Sequence, residues 1–379
     1  VRDLNYAWID KLGESKALLR EKMTLFWANV FVCRDNEIFS IQKYNNTLRK
    51  NALGNFRVFV KEVAKEPSML KYLNNKQNKK RKPNENFARE LMELFTLGVG
   101  NYTEQDIKES ARAFTGWNFM KNGDFILQKN QHDFEEKTFF GKTGNFDGDD
   151  IIDIILEQKQ CARFICDKVY RYFINPKVDE KRLEEITNIF YKDYNISNLM
   201  EHIFTSKWFY DEENIGVKIK SPIELLVGIQ KVVPVTFDKK QQLNYLQKMM
   251  GQTLFYPDNV AGWKGGKSWI DSNTLMFRMK LPSLLLSNAV INLEEKGEFE
   301  DSFEKYYKSE KKQNKYLKIT KSWESFDEKN QHLKAKEMID FLILSKLDKD
   351  TATFLENLEI KSNRNFCVQL MSIPEYQLC

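Results

Sequence analysis

The chain has 379 residues, of which 42% are hydrophobic, 13% aromatic and 30% charged, and its 59 basic against 54 acidic side chains leave a net charge of +5. That apolar content excludes a disordered chain, the near-balance of charge excludes a polybasic nucleic-acid coat, and the lack of any apolar stretch of about 18 residues excludes a transmembrane helix. With only 16 Gly and 8 Pro, the chain is too poor in turn residues for an all-β fold, so long helices are expected.

In chain order, residues 2–34 read as one helix with a strongly apolar second half carrying Met23, Leu25, Phe26, Trp27, Val30 and Phe31. Helices follow over 38–53 and 54–74, the latter with Phe56, Phe59, Val60 and Val63 on one face and a break or bend at Pro67. The run 76–82, with Lys76, Lys79, Lys80, Arg81 and Lys82, is the densest basic segment. It reads as a solvated loop, the other reading being a contact with phosphate or an acidic partner. Residues 84–97 give the clearest helix, with Asn84 as N-cap, Glu85 in the first turn and Gly98 just past its end. Thr103 and Asp106 form a capping box for a helix that stops at Gly116. Over 117–147, Asn, Gly and Asp among alternating aromatics predict a small hairpin or a structured loop. Helices resume at 149–160, 161–174, 179–193 and 196–206, from Ser221-Pro222 onward, and at 239–250. A Gly- and Trp-rich loop occupies 251–271, and helices follow at 273–288, 334–346 and 349–357. The charged stretch 294–335 reads as an insertion in the fold.

The helix over 84–97 holds the most anomalous residue. On a wheel, Phe87, Leu91, Leu94, Phe95 and Leu97 define an apolar arc that contains Glu90, while Glu85, Arg89 and Glu93 form a ladder on the opposite side. A carboxylate on a buried face needs a partner or a proton. Two readings stand: a general acid or ligand-contacting group, or a structural ion pair with Arg112 of the next helix. His132-Asp133 admits an acid–base pair or a hydrogen-bonded clamp within its loop. Asp149 and Asp150 in the stretch 145–150 read as helix caps, since the spacing lacks the glycine and glutamate of a calcium loop. Trp117, Trp263 and Trp269 form a candidate aromatic set that either stacks on a sugar ring or plugs the core between helices. The glycines around Trp263 do not have the spacing of a phosphate-binding loop. Five cysteines without a CxxC pair and three scattered histidines predict no disulfide framework, no metal and no cofactor.

The segment 84–98, followed by Tyr102, Thr103, Glu104, Gln105 and Asp106 and then by Ala111, Arg112, Ala113, Phe114, Thr115, Gly116 and Trp117, closely resembles the DUF1800 family. The resemblance extends to Leu25-Phe26-Trp27, Glu66-Pro67, His132-Asp133, Lys220-Ser221-Pro222, Asn259 to Trp263 with Trp269, and the terminal Pro374, Glu375, Tyr376, Gln377 and Leu378. It implies a bacterial, helix-rich, exported protein of unknown function, periplasmic or at the cell surface, with a neighbour of the exported DUF1501 family as one associated partner. A start at Val1 in mid-pattern reads as the remainder of a longer member, its signal peptide lost. Many members carry histidines where this chain has Ala28, Val30 and Phe95, so chemistry resting on those histidines is not expected here.

Together these readings predict a mainly α protein: a single large irregular helical domain with a small β-hairpin-like excursion. The expected function is an exported binding or assembly module for a partner protein or a glycan. The alternative is a hydrolase-like enzyme using Glu90, His132 and Asp133, with Arg112 or Arg89 binding an anion.

Overall fold

The structure is a computed structural model that describes residues 1–287 and 317–379. It is mainly α, 60% helical with 18 helices and three small two-stranded antiparallel sheets among the described residues. The chain forms two compact units: residues 1–5, 15–211 and 254–263 make the first, and residues 6–14, 212–253 and 264–379 the second.

The stretch 2–34 is not one helix but two, α1 (Arg2–Glu14) and α2 (Leu18–Ala28). Gly13 and Ser15 favour helix poorly, and Ala17 turns out of helical geometry between the two. In the first unit, α3 (Ile38–Asn51) is capped by the Glu37 carboxylate, which accepts from Phe39 N at 3.0 Å and Ser40 N at 2.8 Å. The predicted break at Pro67 separates α4 (Phe56–Ala64) from α5 (Pro67–Tyr72), with proline at the first helical position, where its missing N–H costs nothing.

The signature helix starts as α6 (Asn86–Glu90) and widens into a π turn over Leu91–Thr96. Asn84 caps it from two residues upstream, accepting from Asn86 N at 3.0 Å. α7 (Glu104–Ala113) has the expected reciprocal capping box of Thr103 and Asp106. The excursion after it holds two hairpins. β1 (Trp117–Phe119) pairs with β2 (Phe125–Leu127), and β3 (Lys137–Phe139) with β4 (Lys142–Gly144). α8 (Gly148–Glu157) is capped by Asp147 rather than by Asp149 or Asp150, with Asp150 answering as the second half of a capping box. α9 (Lys159–Phe173), α10 (Glu180–Asp193) and α11 (Ile196–Thr205) complete the unit.

Its core is aromatic. Trp27 stacks on Phe31 at 5.6 Å between ring centroids, Phe31 meets Phe59 edge-on at 5.0 Å, and Phe95 closes on Phe31 at 5.8 Å. All four rings are at most 2% exposed. Edge-to-face packing of such large side chains supplies directional contact beyond area burial.

In the second unit, α12 (Pro222–Val232) begins at a Ser221/Glu224 capping box, and β5 (Val235–Phe237) pairs with β6 (Ile319–Lys321). The C-terminal end is sewn to the segment before α12 through Lys218 and Cys379, which exchange both backbone hydrogen bonds. Beside them Arg278, fully buried on the helix Ser272–Leu286, donates to Lys220 O at 2.6 Å and to Gln377 Oε1 at 3.1 Å. Of the charged stretch 294–335, residues 294–316 lie outside the described residues. The rest supplies β6 and the helix Trp323–Asn330. Helix Asn363–Met371 has no counterpart in the sequence reading.

Candidate functional site

The polar groups around the signature segment separate into two places. The first is organised by Arg112 at the end of α7. Its guanidinium donates to Asp133 through Nε at 2.8 Å and Nη2 at 3.4 Å, to Glu109 Oε2 at 2.9 Å and to Glu136 O at 3.2 Å. Glu135 lies 3.7 Å away. Asp133 N donates to Thr115 Oγ1 at 2.8 Å, and the His132 ring meets Thr115 O through Nδ1 at 2.7 Å. That acceptor fixes the proton on Nδ1. Lys137, 1% exposed, donates to Asp133 O at 2.7 Å and Glu135 O at 2.8 Å, and Glu109 Oε2 also takes Thr138 N at 3.1 Å. The Arg112 and Glu109 bonds tie the loop after β2 and the start of β3 to α7, Thr115 holds the loop just past that helix, and Lys137 closes the loop on itself.

Burial is the largest influence on Asp133 and pushes its carboxyl up. The Arg112 bonds, the Glu135 amide and the nearby cations together outweigh it and hold the group below the ordinary carboxylate range. Burial lowers Lys137. Both residues are thus hydrogen-bonded within the excursion and to the end of α7.

Glu90 is elsewhere. It is half-buried, and among the described residues no hydrogen bond or ion pair joins it to Arg112, His132 or Asp133. The expected Glu90–Arg112 pair is therefore not formed, because Arg112 is fully engaged by Asp133 and Glu109. Burial, with help from Glu93 and against Arg89, holds Glu90 above the ordinary carboxylate range. Glu90 ends α6, and the π turn that starts at Leu91 adds about one residue per turn, shifting the residues that follow away from the places an α-helical wheel gives them. Leu94, placed deep in the arc by that wheel, is half-buried as well. The expected ladder is rearranged in the same way. Arg89 grips Glu104 with two bonds of 2.9 Å and Glu85 at 3.2 Å, whereas Glu93 accepts from Tyr102 Oη at 2.6 Å, and Tyr102 is pushed up to about 12 by burial and that bond.

Trp117, Trp263 and Trp269 are 3%, 4% and 7% exposed, so they plug cores rather than offer stacking faces. Trp117 wedges edge-on between Phe114 and Phe125, both at 5.0 Å. Trp263 is held by its backbone, its N–H donating to Asn29 Oδ1 at 2.7 Å and its carbonyl accepting from Asn29 Nδ2 at 3.2 Å. Ala28, Val30 and Phe95 lie buried in the aromatic core of the first unit. Among the described residues no group of three or more His, Cys, Asp or Glu is placed to hold a metal ion.

An open groove of about 500 Å³ runs along the outer face of α3, lined by Phe39, Gln42, Lys43, Asn46, Thr47 and Lys50. The opposite face of α3, with Ile41, Tyr44 and Leu48, is buried, so the groove residues are what the helix presents outward. Phe39 is 51% exposed, and the Gly123 backbone at the β1–β2 turn packs against its ring edge. Three liners are held from behind. Lys43 donates to Gly123 O at 2.6 Å, Thr47 to Glu66 Oε1 at 2.6 Å, and Lys50 to Glu62 Oε1 at 2.8 Å. Gln42 and Asn46 are exposed and make no hydrogen bond to other described residues. Beneath them Glu66 is 5% exposed, its Oε2 has no hydrogen-bond partner, and burial raises it above the ordinary carboxylate range. An aromatic face beside two open amides, on a scaffold whose charged members are already paired, suits an uncharged polar ligand. In the sequence these residues are the stripe Phe39, Lys43, Asn46 and Lys50 at spacings of three and four.

A family model for a protein of unknown function, DUF1800, matches residues 1–378. No curated protein and no solved structure matches the chain significantly.

Proposed function

From the premise that the chain belongs to the DUF1800 family, which carries no assigned function, we propose that it is an exported binding module whose α3 groove holds a glycan. One observation carries this reading: Phe39 stands exposed beside the unbonded amides of Gln42 and Asn46, while every charged liner of the groove is already paired. A pyranose offers an apolar ring face to the phenyl group and hydroxyls to the amides. The groove volume accommodates a few sugar rings. Of the acid–base groups that an enzymatic reading requires, Asp133 is pinned by Arg112 and His132 faces a backbone carbonyl, and neither is joined to Glu90 by a hydrogen bond among the described residues.

The test is a glycan array probed with the intact chain and with Phe39→Ala. The reading expects a discrete set of oligosaccharides bound by the wild type and lost in the variant. An empty array, or binding that survives Phe39→Ala, overturns it. If instead a DUF1501-type neighbour captures the chain while the array stays blank, the module serves assembly with a protein.

A further inference from the structure

The basic run 76–82 is a built feature. Its backbone closes a tight turn, Lys82 N donating to Lys79 O at 2.8 Å. Lys80 N donates to Gln131 O at 2.9 Å, so the turn is fastened to the loop that carries His132. Asn78, 1% exposed in the middle of the run, anchors it from inside. Its side chain donates to Ala111 O at 2.7 Å and to Asn75 Oδ1 at 3.1 Å and accepts from Asn84 N at 2.9 Å, while its carbonyl takes Gly116 N at 2.9 Å. Lys76, Lys79, Lys80, Arg81 and Lys82 all point into solvent.

The unit holds both paired and unpaired cations, Lys121, Lys129 and Lys192 being exposed without an acidic partner among the described residues. Arg57, Lys61, Lys65, Arg89, Arg112, Lys142, Lys159 and Arg163 each hold an acidic partner. Among the described residues none of the five cations of the turn does. Only Lys76 is engaged, over the Phe119 ring at 4.7 Å. Five like charges held close on a fixed turn repel one another, a cost that an anionic surface relieves. Lys79 to Lys82 form a hairpin tip closed by a bridge between its ends, with all four side chains exposed. The tip therefore matches a flat array of negative charge better than an extended peptide, which needs a groove or a sheet edge.

We propose that this turn docks the protein on an anionic lipid bilayer, the five cations lying against the headgroups. The contact is electrostatic and peripheral, since no helix among the described residues is long and apolar enough to cross a membrane. It is independent of the α3 groove, whose liners it does not share.

Co-sedimentation of the intact chain with vesicles tests this directly. Vesicles containing phosphatidylglycerol should carry the protein down at low salt, and pure phosphatidylcholine vesicles should leave it in solution. Each cation contributes about five-fold to partitioning, so Lys79→Gln with Lys80→Gln should weaken it roughly thirty-fold, and near-molar salt should abolish it. Both lysines are exposed, so the melting temperature of the double variant should match the wild type and loss of binding cannot be put down to unfolding. Equal sedimentation with the two vesicle types, or binding unchanged in the double variant, overturns the proposal. So does tight binding to soluble polyglutamate with the vesicles ignored, which would assign the turn to an acidic protein.

Discussion

At the scale of a single residue, Arg112 compensates buried acidic charge, but the acid it pairs is Asp133 and not Glu90. Its side chain is 23% exposed and that of Asp133 11%, so the pair is partly screened but costly to break, because either partner left alone keeps its desolvation penalty. Arg112→Met should cost about 2–3 kcal/mol in urea unfolding. The pH dependence follows from the lowered carboxyl of Asp133. A depressed native pKa means that the unfolded chain binds the proton first, so this stability is fully present above about pH 4 and drains away as pH falls through the native value. Arg112→Met should flatten that acid limb. Glu90 has the opposite sign. Its carboxyl is raised, so the native state holds the proton longer, and stability drops as pH climbs from the ordinary carboxylate value through the native one. Glu90→Gln should thus be at least as stable as wild type at neutral pH and lose its advantage in acid, as thermal melts across the range will show. Neither assignment could be reached by wheel geometry alone. The partner of Arg112 arrives from 21 positions along the chain, and the residues that the wheel places beside Glu90 beyond Leu91 are re-phased by the π turn.

Local elements were legible where their signals are local. Pro67 and Pro222 open helices, and Thr103 with Asp106 makes the expected box, because each of these devices is completed within four residues. The π turn was illegible because an i→i+5 bond such as Leu97 N to Met92 O at 2.8 Å has no compositional mark. The division of 2–34 has a related cause: Gly13 and Ser15 are poor helix formers, and two such residues suffice to end a helix once tertiary packing favours a turn. The excursion 117–147 reads in sequence as a small hairpin or a structured loop and holds two hairpins, and the way it is clamped had no sequence signal. Gly116 is the hinge of that clamp. Its φ is +75°, and a Cβ there would lie 2.7 Å from Gln128 O and 3.0 Å from His132 N. Gly116→Ala should cost about 2–3 kcal/mol by differential scanning calorimetry, strain and collision together. Gly100 has a similar φ of +82° with open space around it, so Gly100→Ala should cost only about 1 kcal/mol. Equal losses at the two sites would show that the backbone torsion matters and the close approach does not.

Across the whole molecule, the conspicuous sequence features lie buried or hydrogen-bonded, whereas the proposed site is made of inconspicuous residues. The rare tryptophans, the His–Asp pair and the signature helix all build cores or clamp hairpins, since large aromatics and buried charges are what an irregular helical fold uses to fix its elements. The α3 groove is made of ordinary residues, and only the fold shows that their charged members are paired behind the surface while Phe39, Gln42 and Asn46 stay open. The most direct measurement is isothermal titration of the intact chain with an oligosaccharide taken from the array, repeated on Phe39→Ala. The account predicts one site per chain and at least about ten-fold weaker binding in the variant, the loss of a stacking contact of about 1.4 kcal/mol. Unchanged affinity in Phe39→Ala would contradict it.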